Sequence, residues 1–108
     1  MATPLTLNAD AGPDGTRRLT ARGEIDLSNV DTFASALGAA IADAAERGTV
    51  VTVDLSAVKY LDSAAINVLF TEADHVDRMK LIVHPFLMPV LTISGLGDLV
   101  PVESAEPS

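Results

Sequence analysis

At 108 residues, 48% of them hydrophobic and 20% charged, the chain can bury one real core and is too short for two domains. That composition also argues against disorder. A formal net charge of −8 and a pI near 4.4 set the protein against direct binding to nucleic acid or an anionic membrane, which would repel it. A basic patch on a protein partner is easier to accommodate. With no cysteine, the chain has no disulfide, no thiolate zinc site and no thiol switch. No charged-then-apolar leader opens it. Its longest apolar run, Leu81 to Ile93, is interrupted by His84, Pro85 and Pro89 and falls short of the ~20 residues of a membrane span. A soluble, cytoplasmic protein is expected.

Pro4 to Ala9 alternates weakly and reads as an edge strand. Ala11 to Gly15 is dense in turn residues, and Arg17 to Ile25 reads as a second strand closing a hairpin. Ser28 with Asp31 three residues on resembles a capping box. Beyond it, Val30, Phe33, Ala34, Leu37, Ile41 and Ala44 recur at three- and four-residue spacing, the apolar face of a helix. Arg47 suits its last turn and Gly48 its C-terminal cap. Val50 to Leu55 is nearly continuous in apolar, β-branched residues, as a buried strand with parallel neighbours requires.

After Asp54 a short connector is expected, then a second helix from Ser63 to Val76 with Ile66, Leu69, Phe70 and Ala73 on one face. Lys80 to Val83 reads as a strand. Pro85 to Ile93 reads as a short helix with Pro89 in its first turn, since proline lacks the N–H that an inner turn needs. Ser94 to Gly97 ends that helix and Leu99 to Val102 forms a last strand. The core is therefore expected over about residues 4–102, with a flexible tail over 103–108. The order β-β-α-β-α-β-α-β implies an α/β domain with a mixed sheet of about five strands and three helices.

The chemistry gathers where strand gives way to helix, at Asp54, Asp62 and Ser63. Ser63 stands at a helix N-terminus, where N–H groups and the helix dipole suit an anion. A plain helix cap at Asp62 or Ser63 explains the same residues, and Asp54 can brace the connector through backbone N–H groups. Enzyme readings lack partners. His75 and His84 are distant in sequence from Ser63, no ligand pair has a zinc-like spacing, and Gly95-x-Gly97 is too short to cradle a phosphate.

DLSAVKYLDSAAI, with GEID upstream and SGL downstream, resembles the STAS domain of bacterial anti-sigma factor antagonists. The likeness runs from Leu5 to about Val102. In that family the serine of the D-S pair is phosphorylated by a partner kinase that is itself the anti-sigma factor. The resemblance implies that Ser63 is this serine, that Asp62 is the acid before it, and that Asp26 is the acid ending the second strand. It also implies regulation of transcription: unmodified protein binds the anti-sigma factor and releases a sigma factor, and a phosphatase reverses phosphorylation. The interface would comprise Asp26, Ser28, Asp54, Ser56, Asp62, Ser63, Ala64 and the exposed side of the second helix, including Asn67. Neither a cofactor nor a metal is implied.

A phosphate brings about −1.5 to −2 charge at pH 7. The helix N-terminus tolerates it, but at a docking surface beside Asp26 and Asp62 it would repel an acidic partner and resist desolvation.

Several features depart from the family pattern. Ala65 replaces the glycine after the D-S-x triplet, placing a methyl where a partner's backbone would approach. The stretch from Ser63 to Pro85 is short, and the family's further C-terminal helix is short or absent. The segment Phe86 to Leu91 is apolar enough to be either deeply packed or a surface for a partner or a second copy. The altered motif leaves two alternatives. One is an unphosphorylated accessory subunit docking on the ATPase of an ABC transport complex. The other is a degenerate regulator that binds a kinase but is never modified.

Overall fold

The computed structural model describes residues 4–11, 15–73, 79–95 and 101–105. Its elements are β1 (Thr6–Ala11), β2 (Arg17–Ile25), α1 (Val30–Arg47), β3 (Val51–Leu61), α2 (Ser63–Ala73), β4 (Met79–Val83), a 3-10 turn at Pro85–Leu87, α3 (Met88–Ser94) and β5 (Val102–Ser104). The strands form one sheet in the order β1-β2-β3-β4-β5. β1 runs antiparallel to β2 and every other pair is parallel, so the sheet is mixed as expected.

Strands in sequential order joined by crossovers of one hand place their helices on one face of the sheet. Burial agrees. Leu19 and Ala21 of β2, Val51, Val53 and Leu55 of β3, and Met79, Leu81 and Val83 of β4 form a single core with α1, α2 and α3. Between them the other face carries Arg18, Thr52 and Lys80 in one row and Thr20, Asp54 and Ile82 in the next. α1 buries Val30, Phe33, Leu37, Ile41 and Ala44, the predicted stripe but for Ala34, which is half-buried. It stops at Gly48, whose left-handed φ of 66° lets the chain reverse where a residue with a Cβ would be strained. Pro89 sits in the first turn of α3, as expected.

Four expectations are corrected. The stretch after Asp54 is not a connector: β3 continues to Leu61 beside β2. Two register shifts each give β3 one residue more than β2, so the buried positions Leu55, Val58 and Leu61 fall three apart and break the strand period. At the second shift Gly23 has φ 98°, a conformation that side chains resist. Ser28 does not cap α1. Asn29 holds that position and Ser28 turns back to Asp26. β1 begins later and runs further than proposed. Finally, Glu103 and Ser104 lie in β5, not in a frayed tail.

β5 is pinned by hydrogen bonds from Leu81 N–H to the Pro101 carbonyl and from Ala105 N–H to the Val83 carbonyl, and by a Lys80–Glu103 ion pair at 3.2 Å. The end proposed for the second helix, with His75 and Val76, lies outside the described residues, as do Leu96, Gly97, Leu99 and Val100.

Candidate functional site

The parallel pairing of β2 with β3 brings their C-terminal ends together, Ile25 opposite Leu61. The chain leaving β2 therefore meets the chain entering α2. Asp62 joins them. Its Oδ1 accepts hydrogen bonds from the N–H groups of Ala64 and Ala65 at 3.0 and 3.1 Å, capping α2. Its Oδ2 accepts from the N–H of Leu27 at 3.0 Å, thirty-five positions away in sequence. Its own N–H donates to the Ile25 carbonyl. Of the two residues proposed as a cap, Asp62 is the one that caps.

The loop between β2 and α1 is equally bound. Asp26 N–H donates to Asn29 Oδ1 at 2.9 Å, and Asn29 Nδ2 donates to the Glu24 carbonyl at 3.0 Å. Asp26 Oδ1 accepts from both the N–H and the hydroxyl of Ser28. Polar side chains here compete with helix bonding and fix a turn instead. Leu27, between them, is 77% exposed.

Ser63 opens α2 and is exposed. Among the described residues its hydroxyl has no hydrogen-bonding partner. Asn67 and Thr71 follow on the same exposed stripe at four-residue spacing, with the Thr71 hydroxyl donating to the Asn67 carbonyl. Ala64 is half-buried beside them, and the stripe carries no charge. The first turn of α2 contains no acidic residue, so a phosphate on Ser63 would face the helix dipole with Asp62 as its acidic neighbour in sequence.

The structure thus brings Asp26, Ser28, Asp62, Ser63, Ala64 and Asn67 to one end of the sheet. It does not bring Asp54 and Ser56 there. Asp54 pairs in register with Thr20, far back along β3 and on the helix-free face, where its Oδ1 accepts the Ser56 N–H at 2.9 Å. The bond to a backbone N–H is of the kind expected, but it lies within β3, where there is no connector to brace. Ala65 is fully buried in the core, so its methyl does not lie where a partner would approach. Leu27 and Asn29 were not singled out in the sequence. A large apolar residue among the turn residues Asp26, Ser28 and Asn29 is the signal that could have found Leu27.

The histidine that is described, His84, is engaged locally. Its Nδ1 accepts the Phe86 N–H at 3.1 Å and its ring lies 4.6 Å from that of Phe86. His75 lies outside the described residues. The apolar segment after β4 divides. Leu87 and Leu91 are buried, whereas Phe86 is 73% exposed and Val90 41%. Among the described residues no three His, Cys, Asp or Glu side chains gather as metal ligands, and no helix is long and apolar enough to cross a membrane.

Residues 8–101 match the family model described as Mlab, STAS domain, and the chain belongs to that family. Solved structures share its fold. An anti-sigma factor antagonist from Mycobacterium paratuberculosis aligns with a TM-score of 0.82 at 23% identity, over 93% of this chain and 86% of that one. The anti-sigma factor antagonist SpoIIAA in its unphosphorylated form gives 0.71 at 18% identity, over 94% and 89%. The phosphorylated form of SpoIIAA, a Bacillus cell fate determinant, gives 0.61 at 18% identity, over 94% and 92%. No curated protein sequence matches the chain.

Proposed function

We propose that this protein is an anti-sigma factor antagonist that binds an anti-sigma factor of the serine kinase type while Ser63 is unmodified, and lets go when Ser63 is phosphorylated. The observation that carries this reading is the exposed hydroxyl of Ser63 in the first turn of α2, held on a frame that Asp62 fixes from both sides. Proteins of like fold support it. Two are anti-sigma factor antagonists, and SpoIIAA exists in both unphosphorylated and phosphorylated forms. A phosphatase would complete the cycle.

The switch follows from electrostatics at a surface. A kinase must bring the terminal phosphate of its nucleotide up to the Ser63 hydroxyl. Once a phosphoryl group is there, its charge opposes the nucleotide phosphates that the partner holds and resists the desolvation that docking requires, and the uncharged stripe of Asn67 and Thr71 offers it no cation. Docking is lost while the helix dipole keeps the fold intact.

The test is a pull-down from the native cytosol with wild type and Ser63→Glu as baits, read by mass spectrometry. Wild type alone should recover an anti-sigma factor with a kinase domain, and that protein with ATP should add one phosphate to Ser63. Binding that survives Ser63→Glu would overturn the switch. Recovery of a transporter ATPase by both baits would favour the accessory-subunit reading, and kinase binding without phosphate transfer the degenerate regulator.

A further inference from the structure

The loop that carries Leu27 is almost wholly satisfied from within. The N–H of Asp26 donates to Asn29 Oδ1, that of Leu27 to Asp62 Oδ2, that of Ser28 to Asp26 Oδ1, and that of Asn29 to the Asp26 carbonyl. Four consecutive backbone donors are thereby fixed, yet the side chain at the centre of the loop is an exposed leucine that takes no part in the core. A loop already held in one shape loses little conformational entropy when a partner closes over it. A rigidly presented apolar side chain is what fills a desolvated pocket at the centre of an interface.

We infer that Leu27 is the apolar anchor of the docking face, entering an apolar socket on a protein partner whose rim carries lysine or arginine side chains. The inference rests on the proposed reading of this face as the docking face. Charge selects the rim. Asp26 adjoins Leu27, and among the described residues its Oδ2 accepts no hydrogen bond. Asp31 is exposed in the first turn of α1, and the whole chain carries −8. The two halves of the face then divide the work: the uncharged stripe of α2 holds the modifiable hydroxyl, and the β2–α1 loop supplies the affinity. Ile93, also exposed, lies after β4 outside this bonded loop and serves as the control.

The experiment extends the same cytosolic pull-down with Leu27→Ala, Leu27→Met and Ile93→Ala baits, followed by calorimetry with the anti-sigma factor that wild type recovers. Leu27→Ala should weaken binding roughly ten- to hundredfold. Leu27→Met, of similar volume, should keep most of the affinity, and Ile93→Ala all of it. All three should melt with wild type, since none removes a buried group. Equal affinity of Leu27→Ala and wild type would overturn the anchor and leave the phosphoswitch standing. Absence of any anti-sigma factor on the wild-type bait would overturn both.

Discussion

Asp62 uses both carboxylate oxygens on backbone donors from two separate parts of the chain, so its removal should be felt twice. Asp62→Ala deprives α2 of its cap and leaves the Leu27 N–H without a partner, and should lower stability by about 1–3 kcal/mol in chemical denaturation. Asp62→Asn keeps a capping oxygen and should recover much of that loss. The cap was legible in the sequence because capping is local chemistry: Asp62 lies two and three residues before the N–H groups it serves. The second half of its role was not. Nothing near Asp62 announces a bond to Leu27, which arises only when parallel pairing sets the end of β2 beside the start of α2. The same distance in sequence hid Leu27. Type and spacing favour Ser28 as a cap, but Asn29, one residue on, has both an acceptor and a donor to bind Asp26 and Glu24 together, and it takes the capping position.

Among the elements, β3 is the one that pattern reading cut short, because its two bulges move the buried positions from every second to every third residue. Gly23 permits the later bulge. Gly23→Ala should cost about 1–3 kcal/mol through backbone strain and disturb the Asp26–Asn29 loop that follows, visible as chemical-shift changes there. α2 invites a different test. Ala65→Gly restores the family glycine, yet the Ala65 methyl is buried, so the variant should lose about 1 kcal/mol of stability and leave partner affinity unchanged. A gain in affinity would mean that Ala65 does obstruct docking. α1, by contrast, was readable along its apolar stripe and at its terminal glycine, signals that are local to the helix, and only its N-terminal cap differs.

At the scale of the molecule the proposed docking face is one end of a one-sided sheet on a strongly acidic body. Association with a partner whose rim is cationic should slow about tenfold or more from low salt to ~0.5 M, with a smaller change in dissociation, as stopped-flow kinetics would record. The fold class and the order of elements along the chain followed from alternating periods, because each crossover needs a helix of sufficient length and each strand a run of apolar residues. Which residues share a face did not follow for the longest strand. The resemblance places Asp54 and Ser56 with Ser63, but the extended backbone of β3 carries them away from it.

The strand that closes the far edge has a consequence for handling the protein. β5 is three residues long, and it shields the edge of β4, whose sequence is Met-Lys-Leu-Ile-Val. So short an element should be among the first to open, and amide exchange in β5 should outpace that in β3 and β4. Each opening bares an apolar strand with unpaired backbone groups, the template on which chains aggregate. Concentrated solutions should therefore fail first by edge-to-edge association through β4, long before the core melts, and clipping the chain near Pro101 should hasten it.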